Sequence, residues 1–181
     1  AMETGFLNWI HTYVEEIHYG GPATATWVTT MFGVGFVLGR ALAIVLARRF
    51  TPGWVVAGMT VMSVLSAVLF VVFDRAGPML WIVTFLFAVS VAPQYASMMA
   101  FAESHLALSG RNTSALVASS GIGGLVMPWS VGQLFHRVGP HSLPPTVLGL
   151  AVLTALVGGY AGRLLLQAHR PPVTSMNAPV T

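Results

Sequence analysis

Residues 27–49 read WVTTMFGVGFVLGRALAIVLARR, and this run decides how the rest of the chain is understood. It carries no acid and is apolar over enough length to cross a bilayer. Lipid offers no water to exposed backbone groups, so roughly 20 mostly apolar residues in sequence imply a spanning helix whose backbone bonds are internal. Gly33, Gly35 and Gly39 flatten the helix surface, and Arg48-Arg49 closes it. Arg40 lies inside the span, where a charge is costly and calls for a partner or a purpose.

The composition extends this reading to the whole chain. Of 181 residues, 55% are hydrophobic and only 7% are charged, with a mean hydropathy of +0.77. Soluble domains carry about a quarter charged residues, so this surface is not built for water. The expected class is an all-α integral membrane protein. The net charge of +3 comes from arginines outnumbering acids, with no lysine, and these arginines fall at helix ends. That is the pattern of membrane orientation rather than of nucleic-acid binding. There is no cysteine, which excludes disulfides and thiolate metal sites. No basic leader with a short apolar core opens the chain. It begins within a helical pattern, as part of something longer would.

Outward from 27–49, five further helices are expected. Residues 3–17 form an amphipathic helix: Leu7, Ile10, Val14 and Ile17 recur on one face, Thr4, Asn8, His11 and Glu15 on another. Phe6, Trp9 and Tyr13 make a third stripe. Such a polar face belongs beside protein or a wet cavity, not lipid. After Thr51-Pro52-Gly53, residues 54–73 are almost purely apolar and are expected to face lipid. The turn Asp74-Arg75-Ala76-Gly77-Pro78 leads to a helix at 80–103 with Pro93 mid-span. The polar link Ser109-Gly110-Arg111-Asn112 precedes a helix at 114–135 containing Gly121, Gly124, Pro128 and Gly132. Spaced small residues permit close helix contact. Gly139-Pro140 and Pro144-Pro145 bracket the next link, and the last helix covers 147–166. The expected organisation is a six-helix transmembrane bundle over residues 1–166, arranged as a 3+3 repeat, and a cytoplasmic disordered tail over 167–181.

Arg48, Arg49, Arg111, Arg163 and Arg170 mark one side of the membrane, against Arg75 and Arg137 on the other. This places both termini in the cytoplasm, in a multi-pass protein of the plasma membrane. Six helices with both ends inside is the layout of half of many secondary transporters.

Several local patterns converge on a family. Glu3, Trp9-Ile10 and Thr12-Tyr13 precede Trp27, Phe32 and Gly39-Arg40. Ala92-Pro93 then lies ahead of Glu103. Ser109-Gly110-Arg111-Asn112-Thr113-Ser114 leads to Gly121-Ile122-Gly123-Gly124 and Pro128-Trp129, with Gly132-Gln133 following. In order and spacing these resemble the second half of major facilitator superfamily transporters, in the branch of sodium-dependent glucose transporters and bacterial fucose permeases. The resemblance implies a C-terminal six-helix half. Its implied work is transport of a sugar or similar small polar solute by alternating access, against an N-terminal six-helix half absent from this sequence. It implies no resident cofactor, with Na+ or H+ as possible coupling ions. The chain departs from the superfamily at Arg48, where an aspartate is usual, and at Leu7-Asn8, where glycines are common.

Candidate solute-binding residues are Glu3, Asn8, Trp9, Thr12, Tyr13, Gln94, Tyr95, Trp129 and Gln133. Aromatic rings cover the apolar face of a pyranose, while amides, hydroxyls and carboxylates bond its edge. Glu3 reads either as a carboxylate about 18 Å inward of Glu15 or as a frayed terminal residue. Trp9 and Tyr13 read equally as packing or interfacial aromatics. Arg40, Arg48 and Arg111 with Glu103 form a candidate ionic gate; alternatively, Arg40 snorkels to the headgroups.

Two other classes compete. Ala118-Ser119-Ser120-Gly121 is close to an intramembrane serine-protease motif, but no histidine lies in 147–166 to act as base, so an enzyme is not expected. A non-transporting scaffold or receptor has little reason to point polar side chains inward. Asn177-Ala178-Pro179 occurs once, which disfavours an aquaporin-type channel. No phosphate loop and no metal-ligand spacing is present. The expected partners are therefore a small polar solute, the lipid bilayer and the other bundle, with no nucleic acid.

Overall fold

The computed structural model describes residues 2–73, 77–105 and 110–168, and every described regular element is helical. In order these are α1 (Met2–Glu16), α2 (Pro22–Ala47), α3 (Pro52–Val72), α4 (Gly77–Val91), α5 (Gln94–His105), α6 (Gly110–Val138) and α7 (Leu143–Ala168). A 3-10 turn at Pro140–Ser142 leads into α7. Taken with α4 and α5 as one interrupted span, Gly77–Glu103, five helices are long and apolar enough to cross a membrane. The sixth, α1, has 15 residues and extends about 22 Å, short of a ~30 Å hydrocarbon layer. The expected all-α, six-helix bundle is thus found, and among the described residues five of its helices have the length and apolarity of a membrane span.

Proline positions explain where the elements start and break. Pro22 and Pro52 open α2 and α3, where a missing N–H leaves no ladder bond unmade. Pro144 and Pro145 do the same within the first turn of α7. That helix therefore starts at Leu143, before the expected Val147, and ends the link one residue ahead of the proline pair. Pro93 instead splits the expected helix at 80–103, because it follows four full turns whose ladder it cannot continue. The polar link before α6 is shorter than expected, since Gly110 and Arg111 already belong to that helix. Asp74, Arg75, Ala76, Ser109, Arg170 and most of the expected tail lie outside the described residues.

The core is aromatic and joins four helices. Phe6 of α1 stacks on Phe32 of α2 at 5.3 Å, tilts against Phe87 of α4 at 4.7 Å and meets Phe70 of α3 edge-on at 5.7 Å. Tyr13 closes the cluster with an edge contact to Phe70 at 5.4 Å. Edge and offset arrangements suit the ring quadrupoles, each pair contributing about 0.5–1.5 kcal/mol beyond its buried area.

The α2–α4 contact is the tightest. A Cβ on Gly35 would lie 2.9 Å from the Phe85 carbonyl oxygen, and one on Gly39 would lie 2.6 Å from that of Val89. Four residues apart, these two glycines share one face. Gly33, two residues from Gly35 and so on the opposite side, meets nothing within 4 Å. The flattened face is therefore Gly35 and Gly39 alone.

Helix α3 also differs from its apolar appearance. Val61, Leu65, Val68 and Val72 are exposed, as a lipid-facing stripe should be. Ser63 and Ser66, however, are buried with Met59, Ala67 and Phe70. They lie on the side packed against α4, α5 and α7.

Candidate functional site

Helix α1 packs between α2 and α6. Its inner face is Phe6, Ile10, Tyr13 and Val14, all nearly inaccessible. What remains outside is the polar stripe: Asn8 and Glu15 are exposed, and Thr4, His11 and Thr12 are half-buried. Leu7 shares this side at 38% exposure, away from the apolar face its spacing implied. On one flank α2 exposes Thr26 and Thr30; on the other, next to the part of α6 that meets Trp9, Gln133 is exposed. A hydroxyl- and amide-bearing face thus runs across three helices of an otherwise apolar bundle.

Most of the polar groups on this face already bond to their own helices. Asn8 Nδ2–H donates to the Thr4 carbonyl at 2.7 Å. Thr26 and Thr30 donate to carbonyls one turn back, at 3.1 and 2.9 Å, and Ser119 and Ser120, farther along α6 toward its N-terminus, do the same at 2.8 Å each. Hydroxyls held this way satisfy their donors in lipid or in a dry interface and keep lone pairs free to accept. His11 and Glu15 pair at 3.5 Å one turn apart.

Trp9 is the hinge of this face. Its indole N–H donates to the Pro128 carbonyl of α6 at 2.8 Å, and its ring lies 5.1 Å from Phe135 and edge-on to His136 at 6.3 Å. A Cβ on Gly132 would lie 2.5 Å from Trp9 Cζ2, so the ring occupies the space this glycine leaves. The carbonyl of Pro128, with a second lone pair beyond the one its own helix uses, thus serves a neighbouring helix.

The remaining candidates scatter. Tyr13 is in the aromatic core at 0% exposure. Glu3 is half-buried in the first turn of α1. Gln94 turns toward α3: its Nε2–H donates to Ser63 Oγ at 3.1 Å and to the Met59 carbonyl at 3.3 Å. Ser63 in turn donates to Thr60, and Ser66 to Met62 and Ser63. The polar residue after Pro93 thus ties the broken span to α3, while its neighbour Tyr95 is exposed. Trp129 and Gln133 lie one turn apart on an exposed stripe of α6. The structure therefore unites Asn8 and Thr12 with flanking groups of α2 and α6, with Trp9 at the seam. Tyr13 and Gln94 lie elsewhere. The sequence reading missed the buried Ser63 and Ser66, although two hydroxyls three residues apart in an apolar span were the available signal.

Arg48, Glu103 and Arg111 are exposed at the same end of the bundle, where α2 and α5 finish and α6 begins. Among the described residues no ion pair joins Glu103 to Arg40, Arg48 or Arg111 in this conformation. Arg40 has a different contact: its guanidinium carbon is 4.7 Å from the Phe36 ring centroid, one turn back toward the middle of α2. Helical side chains lean toward the N-terminus, which carries this cation away from the Arg48 end. It does not snorkel outward here.

An apolar groove of about 450 Å³ lies apart from these residues, along Leu46, Phe50, Trp54, Val55, Gly58 and Met59. With so few polar atoms it offers a sugar nothing to bond. Among the described residues no cluster of histidines and carboxylates could hold a metal ion.

Comparison with known proteins agrees with the architecture. The chain is 27% identical over 155 residues to sodium-dependent glucose transporter 1 of Danio rerio, covering 86% of this chain and 26% of that protein. It is 28% identical over 148 residues to sodium-dependent glucose transporter 1A of Mus musculus, covering 81% and 33%. It is 29% identical over 140 residues to major facilitator superfamily domain-containing protein 4A of Danio rerio, covering 77% and 26%. The chain thus spans about a quarter to a third of the length of these relatives. No family model and no solved structure matches it. Two of these relatives are named as glucose transporters, the third as a major facilitator superfamily domain protein and none as an enzyme, and the described helices form a multi-pass membrane bundle that fits half of a major facilitator fold. By sequence similarity and by helix arrangement together, the chain resembles part of a major facilitator superfamily transporter of the sodium-dependent glucose transporter branch.

Proposed function

We propose that this chain is the C-terminal six-helix half of a secondary or facilitative transporter that moves a sugar or similar small polar solute by alternating access. One observation carries this reading: exposed Asn8 and half-buried Thr12, flanked by exposed Thr26 and Thr30 of α2 and by Gln133 of α6, make a polar face on an apolar bundle. Hydroxyls bonded to their own helix still accept hydrogen bonds, which is what a polyol passing between two bundles requires. The names of the relatives support glucose-like solutes. The N-terminal half supplies the facing wall, and Na+ or H+ is the candidate coupling ion. The arginine-rich end lies in the cytoplasm, with both termini there and the protein in the plasma membrane. The bundle runs through Ala168, two residues past the expected boundary, and the remainder to 181 is a cytoplasmic tail.

Within this scheme Asn8, Thr12, Gln133 and Trp129 contact the solute, with Glu3 and Tyr95 at its margins. Trp9 fixes the angle between α1 and α6; Tyr13 and Gln94 hold the scaffold behind. Arg48 and Arg111 pair with Glu103 in the state closed at their end, with Arg40 deeper along α2. Charge reversal at Glu103 is expected to impair transport, with partial recovery on reversing Arg111.

The test is uptake of labelled hexoses by the full-length protein in proteoliposomes, with and without Na+ or pH gradients. Saturable uptake that falls at least tenfold in Asn8→Ala or Gln133→Ala supports the proposal. Absence of uptake and of counterflow for every hexose and polyol tried, in protein that is folded, overturns it.

A further inference from the structure

Where α2 and α3 splay apart, a chemistry other than solute binding is laid out. The groove along Leu46, Phe50, Trp54, Val55, Gly58 and Met59 is apolar and about 450 Å³ in volume. It starts at one end of the bundle and runs along the first turns of α3, about 10 Å from Pro52 to Met59. Arg48 and Arg49 lie in the turn between two of its lining residues, Leu46 and Phe50. Both arginines are exposed, and neither joins an ion pair among the described residues. Trp54, 75% exposed, stands at the rim, the depth at which indoles settle between headgroup and acyl chain. A greasy channel with two exposed arginines in the turn between its lining residues Leu46 and Phe50, at a membrane boundary, matches an amphiphile with a negative head.

We infer that this groove is a binding site for an anionic phospholipid. One acyl chain lies along Gly58 and Met59, and the phosphate is held by Arg48 and Arg49. Guanidinium groups bind phosphate bidentately, and the N-terminus of α3 opens on the same side with its positive dipole end. Bulk lipid fills any apolar groove; selectivity for the charged headgroup is the claim, and it comes from the arginine pair. Each contributes about a fivefold preference over a neutral lipid. A lipid held here braces the turn between two helices that otherwise barely touch.

The test uses the full-length protein in nanodiscs containing phosphatidylglycerol or phosphatidylcholine with brominated acyl chains, which quench a neighbouring indole. Trp54 is assigned by subtracting the signal of Trp54→Phe. The expected result is half-maximal quenching at a roughly 25-fold lower mole fraction of brominated phosphatidylglycerol. Arg48→Gln and Arg49→Gln should each shift that curve about fivefold toward the neutral lipid. Gly58→Leu should weaken quenching by both lipids. A Cβ at Gly58 meets nothing within 4 Å, so the larger side chain enters the groove without moving the helix. Inorganic phosphate should not compete. Identical curves for the two lipids, selectivity that survives both arginine changes, competition by free phosphate, or no quenching at all would each overturn the site. Quenching reports occupancy whether or not a solute is transported, so this outcome is independent of the uptake assay.

Discussion

Helices α2 and α6 look alike on paper, since both are long, apolar, dotted with glycine and small residues, and carry arginine. Their glycines have opposite fates. Gly35 and Gly39 are pressed onto the backbone of α4, whereas Gly121 and Gly124 meet nothing within 4 Å. The first half of α6 is exposed almost all round, while its second half is clamped to α1 through Trp9 and Gly132. A small residue in a membrane helix therefore marks close approach only where another helix arrives. One face of this bundle is finished, and the other is open to whatever packs or passes there.

This contrast can be broken at the closed end first. Gly39→Val should be the most damaging change, because its Cβ would sit 2.6 Å from a backbone carbonyl that cannot swing aside. Overpacking of this kind costs about 1–3 kcal/mol or more. Loss of folded full-length protein after detergent extraction, followed by tryptophan fluorescence on heating, is the check. Gly132→Ala comes next. It pushes the Trp9 ring from its slot, and the indole bond to Pro128 goes with it. A lowered unfolding midpoint together with a shifted tryptophan emission is expected.

Two smaller effects sharpen the comparison. Gln94→Leu conserves volume and removes the bonds to Ser63 and the Met59 carbonyl. Both of those groups keep helical partners, so about 1 kcal/mol is expected. Gly121→Ala and Gly124→Ala should leave the stability of this bundle within about 0.5 kcal/mol or raise it slightly, since alanine favours helix. Their readout is uptake. A loss of transport without loss of stability would mean that the open half of α6 is a working surface. Equal destabilisation by Gly121→Ala and Gly39→Val would erase the distinction.

Much of the fold was legible in the chain. Spanning length at 27–49, the Thr51-Pro52-Gly53 break and the polar face of α1 all follow from local rules: apolar length, proline's missing N–H and the helical period. The candidate site was legible only in part. Asn8 lies on an exposed polar face, as α1's own periodicity implied, and Thr12, which that periodicity had not placed there, is half-buried. Tyr13 and Gln94 have the same chemical character, yet the first packs on Phe70 and the second bonds to Ser63. In a helix hydrophobic nearly all round, periodicity does not say which side meets protein.

The sequence by itself determined that this chain lives in a membrane as a bundle of helices, because scarcity of charge and uninterrupted apolar length leave its backbone no other way to satisfy its hydrogen bonds. Tertiary structure alone decided which glycines are contacts, that Trp9 rather than Tyr13 joins α1 to α6, and that Gln94 serves the scaffold. Each of these is fixed by a neighbour far away in sequence, and no local spacing encodes which neighbour arrives.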